Sequence, residues 1–203
     1  MIKIIMIIAL AALIILLGLL AFFATRGPSL AELQKFDYLK EPKINTMPAQ
    51  KMISVEIKGD PNTSSAVAFK ELYATYYKLK RNTKGLTMVA PRARWSGPFD
   101  APKKDWVGIY GIPIPDSVEK LPDNPGNVKL DIWQYGEVAE ILYVGPYSEE
   151  KATIEKLIGF IHSNGYEIAG AHEEEYLKGP GMFFKGNPKD YYTVIRYPVK
   201  KKQ

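Results

Sequence analysis

The same order of secondary-structure elements is predicted twice in this chain. In each half a β-branched strand ends at a glycine, a helix with one apolar face follows, and two further strands complete the unit. The strand-ending glycines, Gly59 and Gly145, lie 86 positions apart, and the prolines that end the last strands, Pro113 and Pro198, lie 85 apart. Two points of register and a common element order indicate an internal duplication.

Apolar residues at helical spacing mark both predicted helices. The first helix is indicated by Ala66, Phe69, Leu72, Tyr73, Tyr76 and Leu79. The second is indicated by Ile154, Leu157, Ile158 and Ile161. Ser148 provides a start for the second helix, with two glutamates at the positive end of the helix dipole. The fold class is therefore α+β: duplicated strand–helix–strand–strand units form one curved antiparallel sheet with two main helices on one face, and a groove between the helices is a natural ligand site.

An uncharged run precedes this domain. Residues 4–25 read IIMIIALAALIILLGLLAFFAT, which as a helix of 22 residues would span roughly 33 Å, enough for the hydrocarbon core of a bilayer. A cleaved signal peptide normally has a shorter apolar stretch and a small-x-small cleavage site, where this chain has Phe22. We therefore expect a single transmembrane helix that anchors the chain.

Charges near this run set the expected topology. Lys3 and the α-amine precede it and Arg26 follows it, which slightly favours a cytoplasmic N-terminus. The sequence thus predicts a bacterial single-pass membrane protein with an extracytoplasmic domain. The predicted divisions are an anchor over 1–26, a proline-punctuated stalk over 27–50, and a ligand-binding domain over 51–200 with halves 51–115 and 131–200 and a connector 116–130.

Composition excludes several classes of function. The chain has no cysteine, which rules out disulfides, a thiolate nucleophile and cysteine-based zinc sites. With two histidines, His162 and His172, a multi-histidine metal site is poorly supplied, and we predict no metal and no cofactor. Lys3, Arg26 and the lysines at 200–202 account for the whole net charge of +5. Because no concentrated basic face remains, we expect no nucleic-acid partner.

Motifs in the second half resemble the GyrI-like small-molecule-binding domain. The marks are Gly-Pro-Tyr at 145–147, before the predicted helix, and Glu174-Glu175-Tyr176-Leu177 after it. That family includes the DNA gyrase inhibitor protein and the effector-binding domains of multidrug-responsive regulators. The resemblance implies a duplicated fold that binds flat, often cationic, aromatic compounds. It also implies that the glutamate of the Glu-x-Tyr motif meets the cation and, in hydrolase members, acts as the catalytic base. In place of the regulators' DNA-binding segment this chain has the apolar run.

Strand alternation selects the same glutamate independently. In the segment HEEEY, the side chains of His172, Glu174 and Tyr176 share one face of a strand, whereas Glu173 and Glu175 point to the other. We expect Glu173 and Glu175 to be solvated on an edge strand, where charges prevent aggregation. Glu174 would instead be partly desolvated among aromatic rings, where it could attract an organic cation.

Candidate ligand-binding residues follow from the motif and the faces of the strands. They are Glu174, Tyr176, Trp106, Tyr110 and Tyr147, and Gly108 would leave room for a flat ligand between Trp106 and Tyr110. The leading interpretation is a membrane-anchored domain that binds hydrophobic, cationic aromatic compounds. The first alternative is a hydrolase of electrophilic xenobiotics in which Glu174 is the general base and Tyr176 orients the substrate. A protein-interaction module and a haem binder of the related SOUL fold stay open.

Overall fold

The computed structural model describes residues 27–96, 102–180 and 186–203. These ranges contain nine β-strands and three α-helices. The strands are β1 Lys43–Met47, β2 Gln50–Lys58, β3 Arg92–Ser96, β4 Val107–Pro113, β5 Lys129–Trp133, β6 Gly136–Val144, β7 Tyr166–Ile168, β8 His172–Lys178 and β9 Tyr192–Lys201. The helices are α1 Leu30–Gln34, α2 Pro61–Asn82 and α3 Lys151–Ser163. The predicted anchor over 4–25 lies outside the described residues, and among those described no helix is long and apolar enough to cross a bilayer.

The strands form one curved antiparallel sheet whose order confirms the predicted α+β class. The order is β1-β6-β9-β8-β3-β4-β2-β5, with β7 paired to β9. The unit β2-α2-β3-β4 and the unit β6-α3-β8-β9 occupy the two sides of the β8–β3 pair in mirrored positions. Gly59 and Gly145 have φ values of 142° and 150°, a backbone conformation that favours glycine at the end of each unit's first strand. The two halves therefore share topology and turn chemistry.

Both main helices pack on the same face of the sheet, here called the helix face. Under α2, the apolar core includes Leu72 and Tyr76 against Val55, Tyr110 and Ile112, all fully or almost fully buried. The apolar core under α3 is built in the same way. Its buried members are Ala139, Ile141, Leu157, Ile161, Ile195, Tyr197 and Val199. Burial of one stripe per helix explains the helical spacing that the sequence shows.

Residues 27–50, for which the sequence predicts a stalk, contain the short helix α1 and side chains that pack on the domain. Leu33 and Leu39 are 4% and 1% exposed, and Leu39 packs on Leu142 and Val194. The segment then continues into β1, which pairs antiparallel with β6. This segment therefore lies against the sheet, on the face opposite the helices, and extends the sheet by one strand.

Candidate functional site

Strand β8 lies in the interior of the sheet, between β3 and β9. In the register, Glu174 is opposite Ala93 on one side and Ile195 on the other, which places its side chain on the helix face. Glu173 pairs with Arg94 and Arg196 and therefore lies on the opposite face. The predicted alternation of side chains along HEEEY is thus confirmed, but the predicted edge position is wrong.

Glu174 is buried beside a histidine and a tyrosine of its own strand. Its side chain belongs to a residue that is 7% exposed, and its Oε1 lies 2.9 Å from Nε2 of His172, which is 3% exposed. Burial, then the charge of Glu174 and a hydrogen bond that the Tyr176 hydroxyl donates to it, raise the pKa of Tyr176 well above its ordinary value. The carboxylate is therefore held on both sides along the strand.

Aromatic rings from both halves of the chain surround this carboxylate. The Tyr176 ring lies 5.6 Å from that of Tyr147, near the start of α3, and 6.0 Å from that of Phe69 on α2. Phe69 in turn contacts Tyr110 edge to face at 5.3 Å. We call this set the central cluster; its members are Glu174, His172, Phe69, Tyr110, Tyr147 and Tyr176. Four of the five predicted ligand-binding residues therefore lie together.

Trp106 lies at the far end of the aromatic row. Its ring is 6.0 Å from Trp95, and Trp95 contacts Tyr110 at 5.3 Å. The space expected above Gly108 is not open, because a Cβ atom there would come within 2.6 Å of the Trp95 ring and 2.8 Å of the Tyr110 ring. Trp95 lies on the neighbouring strand β3, directly opposite Gly108, and fills this space. The sequence around Gly108 does not show this, because strand pairing cannot be seen in a single segment. The Trp95 ring therefore lies between Trp106 and Tyr110 of the central cluster.

Tyr147 is positioned by two glycines. Gly145 turns the chain at the end of β6, and the Tyr143 hydroxyl donates to the carbonyl of Pro146 at 2.8 Å, which fixes this turn. Gly179, after β8, lets the Tyr147 hydroxyl approach closely, since a Cβ atom there would be 2.6 Å from it. Burial, and next the charge of Glu174, raises the pKa of Tyr147 above its ordinary value. The Tyr147 hydroxyl thus lies next to Gly179, in the field of the Glu174 charge.

A second carboxyl group, Glu150, also lies in this region, although the sequence pattern predicts for it only a place at the helix start. Helix α3 begins at Lys151 rather than near Ser148, and Glu150 makes no side-chain capping hydrogen bond. Its Oε2 is buried without a hydrogen-bond partner in the described part of the chain. Burial, followed by the charge of Glu174, raises the pKa of Glu150 to about 9. Burial and the nearby charge of Glu174 therefore favour the protonated form of Glu150.

The opposite face of the sheet contains a buried ion-pair network. Glu173, only 1% exposed, accepts from Arg94 Nε at 2.6 Å, from Arg196 Nη1 at 2.6 Å and from the Tyr135 hydroxyl at 3.0 Å. Glu175 accepts from Arg196 Nη2 at 2.9 Å. The expectation that Glu173 and Glu175 are solvated is therefore wrong.

Arg196 is the centre of that network. Besides Glu173 and Glu175 it donates through Nε to Glu140 at 2.7 Å. Burial by itself would lower the pKa of Arg196, but the charges of Glu175, Glu140 and Glu173 outweigh this and raise it. The members of this network lie on β3, β6, β8 and β9, in distant parts of the sequence, so no local pattern could reveal it.

Neither a metal site nor a surface cleft competes with the central cluster. Within the described residues, no group of three or more His, Asp or Glu side chains could hold a metal ion. A cleft of about 510 Å³ lies between the end of α2 and the connector; it is lined by Lys78, Arg81, Asn82, Lys120, Leu121, Pro122 and Asp123. It contains no aromatic ring and shares no residue with the cluster, so we do not assign a ligand to it.

A duplicated sheet with two helices on one face and an aromatic cluster between the halves defines a small-molecule-binding class of α+β domain. Residues 40–200 match the GyrI-like small molecule binding domain family, and the chain belongs to this family. No curated protein sequence matches the chain significantly.

Several solved structures have a similar fold. An uncharacterized conserved protein from Listeria innocua is 27% identical, with a TM-score of 0.69 over 79% of this chain and 93% of that chain. A hydrolase from Listeria innocua is 25% identical, with a TM-score of 0.67 over 82% of this chain and 96% of that chain. EcmrR in its complex with DNA is 18% identical, with a TM-score of 0.60 over 84% of this chain and 62% of that chain, a likeness that shows the fold alone.

Proposed function

We propose that this domain binds hydrophobic organic cations with an aromatic ring, and that Glu174 meets the positive charge. The observation that carries the proposal is the buried carboxylate of Glu174, which lies among aromatic rings on the helix face. The family to which the chain belongs is described as a small-molecule-binding domain. A cation that replaces water beside a buried carboxylate gains a strong interaction, and each ring face adds roughly 0.5–2 kcal/mol. A neutral aromatic compound would gain only the ring contacts.

A thermal-shift screen of residues 27–203 against cationic dyes and neutral aromatic compounds tests this proposal. Cationic dyes should stabilise the wild type, and Glu174→Gln should lose most of that stabilisation. Glu56→Gln is the matched control, because Glu56 is an exposed acid on β2 and its removal changes the net charge equally. Equal stabilisation of the wild type and Glu174→Gln by the dyes would refute the role of this carboxylate.

A hydrolase is the second candidate, favoured by the similar Listeria innocua structure described as a hydrolase. In this reaction Glu174 would take a proton from water while the water oxygen forms a bond to an electrophilic carbon. Protonated Glu150 would give its proton to the leaving group as the old bond breaks. Tyr176 would hold Glu174 in position. Glu174→Gln should then abolish turnover of an activated ester or epoxide, whereas Tyr176→Phe should only lower it.

Residues 4–25 are proposed to anchor the domain in a membrane, with the domain outside the cytoplasm. Support comes from an uncharged run of 22 residues, long enough to span a bilayer as a helix. Alkaline phosphatase fused after Gln203 should be active in bacterial cells, and the fusion protein should sediment with membranes. Activity in a soluble fraction would contradict the anchor, and an inactive membrane-bound fusion would contradict the orientation. We propose no nucleic-acid partner, because no basic face is concentrated in the sequence.

A further inference from the structure

Tyr197 carries a buried hydroxyl group on the helix face that no other feature of the site explains. The residue is 3% exposed, and its hydroxyl has no hydrogen-bond partner among the described residues. Its ring lies 5.1 Å from that of His172, the histidine that contacts Glu174. Burial, and then the charges of Glu174 and Glu150, raises the pKa of Tyr197 above its ordinary value. The hydroxyl therefore lies in the field of both carboxyl groups.

Glu150 provides a second group of the same kind. Its Oε2 is buried without a hydrogen-bond partner in the described part of the chain, although the residue stands at the N-terminal end of α3. A buried polar atom without a partner costs about 1–3 kcal/mol, so native structures keep very few of them. Tyr197 contacts His172 of the central cluster, and Glu150 follows Tyr147 of the same cluster by three residues. Two such oxygens next to the central cluster indicate a place where a ligand supplies the missing hydrogen bonds.

The chemistry of these oxygens limits the kind of cation. Hydroxyl and carboxyl oxygens accept hydrogen bonds, and a charged N–H donor makes bonds about twice as strong as a neutral one. A protonated primary amine has three N–H groups, which is enough for Glu174 and two further acceptors. A quaternary ammonium or phosphonium ion has none, and its bulk would cover the two oxygens without satisfying them.

We propose that the site selects cations that carry N–H groups, such as protonated amines and amidines, over N–H-free cations of similar size, with Tyr197 Oη and Glu150 Oε2 accepting from the ligand. This specificity rests on the proposed function, since it presupposes a cation at Glu174. It assigns Tyr197 and Glu150, which neither the motif nor the spacing selects, as ligand-binding residues.

The test compares two ligands that differ only at nitrogen. The full chain in zwitterionic nanodiscs, with empty nanodiscs as the blank, is titrated with 1-naphthylmethylammonium and with its N,N,N-trimethyl analogue at pH 7. The wild type should bind the primary ammonium at least about tenfold more tightly, the effect of one net hydrogen bond to a charged group. Tyr197→Phe should remove most of this preference by weakening the primary ammonium, with little change for the trimethyl analogue. Tyr76→Phe is the matched control, because Tyr76 also has a buried hydroxyl without a partner, but under α2.

Each outcome separates this proposal from the one on which it rests. Equal or tighter binding of the trimethyl analogue by the wild type would overturn the N–H selectivity and leave cation binding intact. A preference that survives unchanged in Tyr197→Phe would overturn the role of that hydroxyl. If neither ligand binds and the cationic dyes do not stabilise the wild type either, both proposals would be overturned.

Discussion

Two adjacent residues, Glu173 and Glu174, have opposite electrostatic surroundings. Glu173 is bound by two arginines and a tyrosine on one face of the sheet. Glu174 contacts His172 and is surrounded by rings on the other face. The charge of Glu173 is thus matched inside the protein by arginines, whereas the side chain of Glu174 contacts His172 and no arginine in the part of the chain that the structure describes. Strand β8 therefore carries a structural carboxylate, Glu173, on one face of the sheet and a candidate binding carboxylate, Glu174, on the other.

Neutralising these two residues should therefore have different effects on stability. Glu173→Gln removes the carboxylate that pairs with Arg94 and one of the three carboxylates that pair with Arg196, and we expect a loss of about 3–5 kcal/mol in the free energy of unfolding. Glu174→Gln should cost much less, because no arginine depends on it. Urea unfolding of residues 27–203 measures both changes. Similar losses for the two variants would contradict the division of roles between the two faces.

Glu150 should make stability fall as the pH rises. Its pKa in the folded chain, about 9, is above the usual 4.5, so the folded state holds a proton that the unfolded state releases between these values. Its contribution to stability is therefore present below about pH 4.5 and is lost as the pH rises towards 9. Compared with Glu150→Gln, the wild type should lose stability steadily over this range, as thermal unfolding at several pH values would show. A difference independent of pH would mean that Glu150 is ionised in the folded protein.

Local patterns in the sequence identified the face of Glu174 but not its surroundings. Alternation along β8 places His172, Glu174 and Tyr176 together, and this holds because a strand has a period of two. Glu150 and Tyr197 were missed, since a glutamate at a helix start and a tyrosine in an apolar strand each have an ordinary structural explanation. Their proximity to Glu174 depends on how α3 and β9 pack against β8 and its neighbours, and no local sequence pattern predicts that packing.

At the scale of elements, α3 and its preceding turn position the ring of Tyr147 over β8. The turn depends on Gly145, and close approach to the segment after β8 depends on Gly179. Gly179 belongs to the Lys-Gly-Pro sequence that follows the Glu-x-Tyr-Leu motif, so the motif and its spacing reflect a contact between two elements. The glycine is explained by space rather than by backbone strain.

Substitution of Gly179 should consequently affect binding more than folding. In Gly179→Ala the new methyl group would lie within 2.6 Å of the Tyr147 hydroxyl, and the ring, the movable partner, must shift. We expect several-fold weaker binding of cationic dyes with a small change in stability. Gly159→Ala on α3 is the control, because nothing lies within 4 Å of its new Cβ, and it should stabilise the helix by up to about 1 kcal/mol. Unchanged dye affinity in Gly179→Ala would argue against Tyr147 as part of the site.

Across the whole molecule, the two halves have the same topology but different side chains at equivalent positions of the site. The central strand pair places Glu174 opposite Ala93, so the acid belongs to the second half and a small residue faces it from the first. Element order and duplication were predictable, because each half has its own helical and strand periodicity. Strands β1, β5 and β7 were not predicted, since they are short and exist through pairing with β6, β2 and β9. The residues that flank these strands are polar or rich in proline, so the sequence pattern there does not indicate strands.

The segment before β2 completes the sheet on the face opposite the helices. It covers the sheet with Leu39, packed on Leu142 and Val194, and β1 pairs with β6 over five residues. Complete burial of a leucine side chain contributes about 1.5–3 kcal/mol, and an uncovered β6 would present an open edge to other chains. If this segment is part of the fold rather than a stalk, its removal must destabilise the domain.

Two fragments decide between these possibilities. A fragment of residues 27–203 keeps α1 and β1, whereas a fragment of residues 49–203 begins directly before β2. We expect the longer fragment to unfold cooperatively as a monomer and the shorter one to be several kcal/mol less stable or to aggregate through β6. Unfolding curves and sedimentation measure the two properties. Equal stability and equal solubility would show that residues 27–48 contribute nothing to the domain, as a stalk would, and that the fold begins at β2.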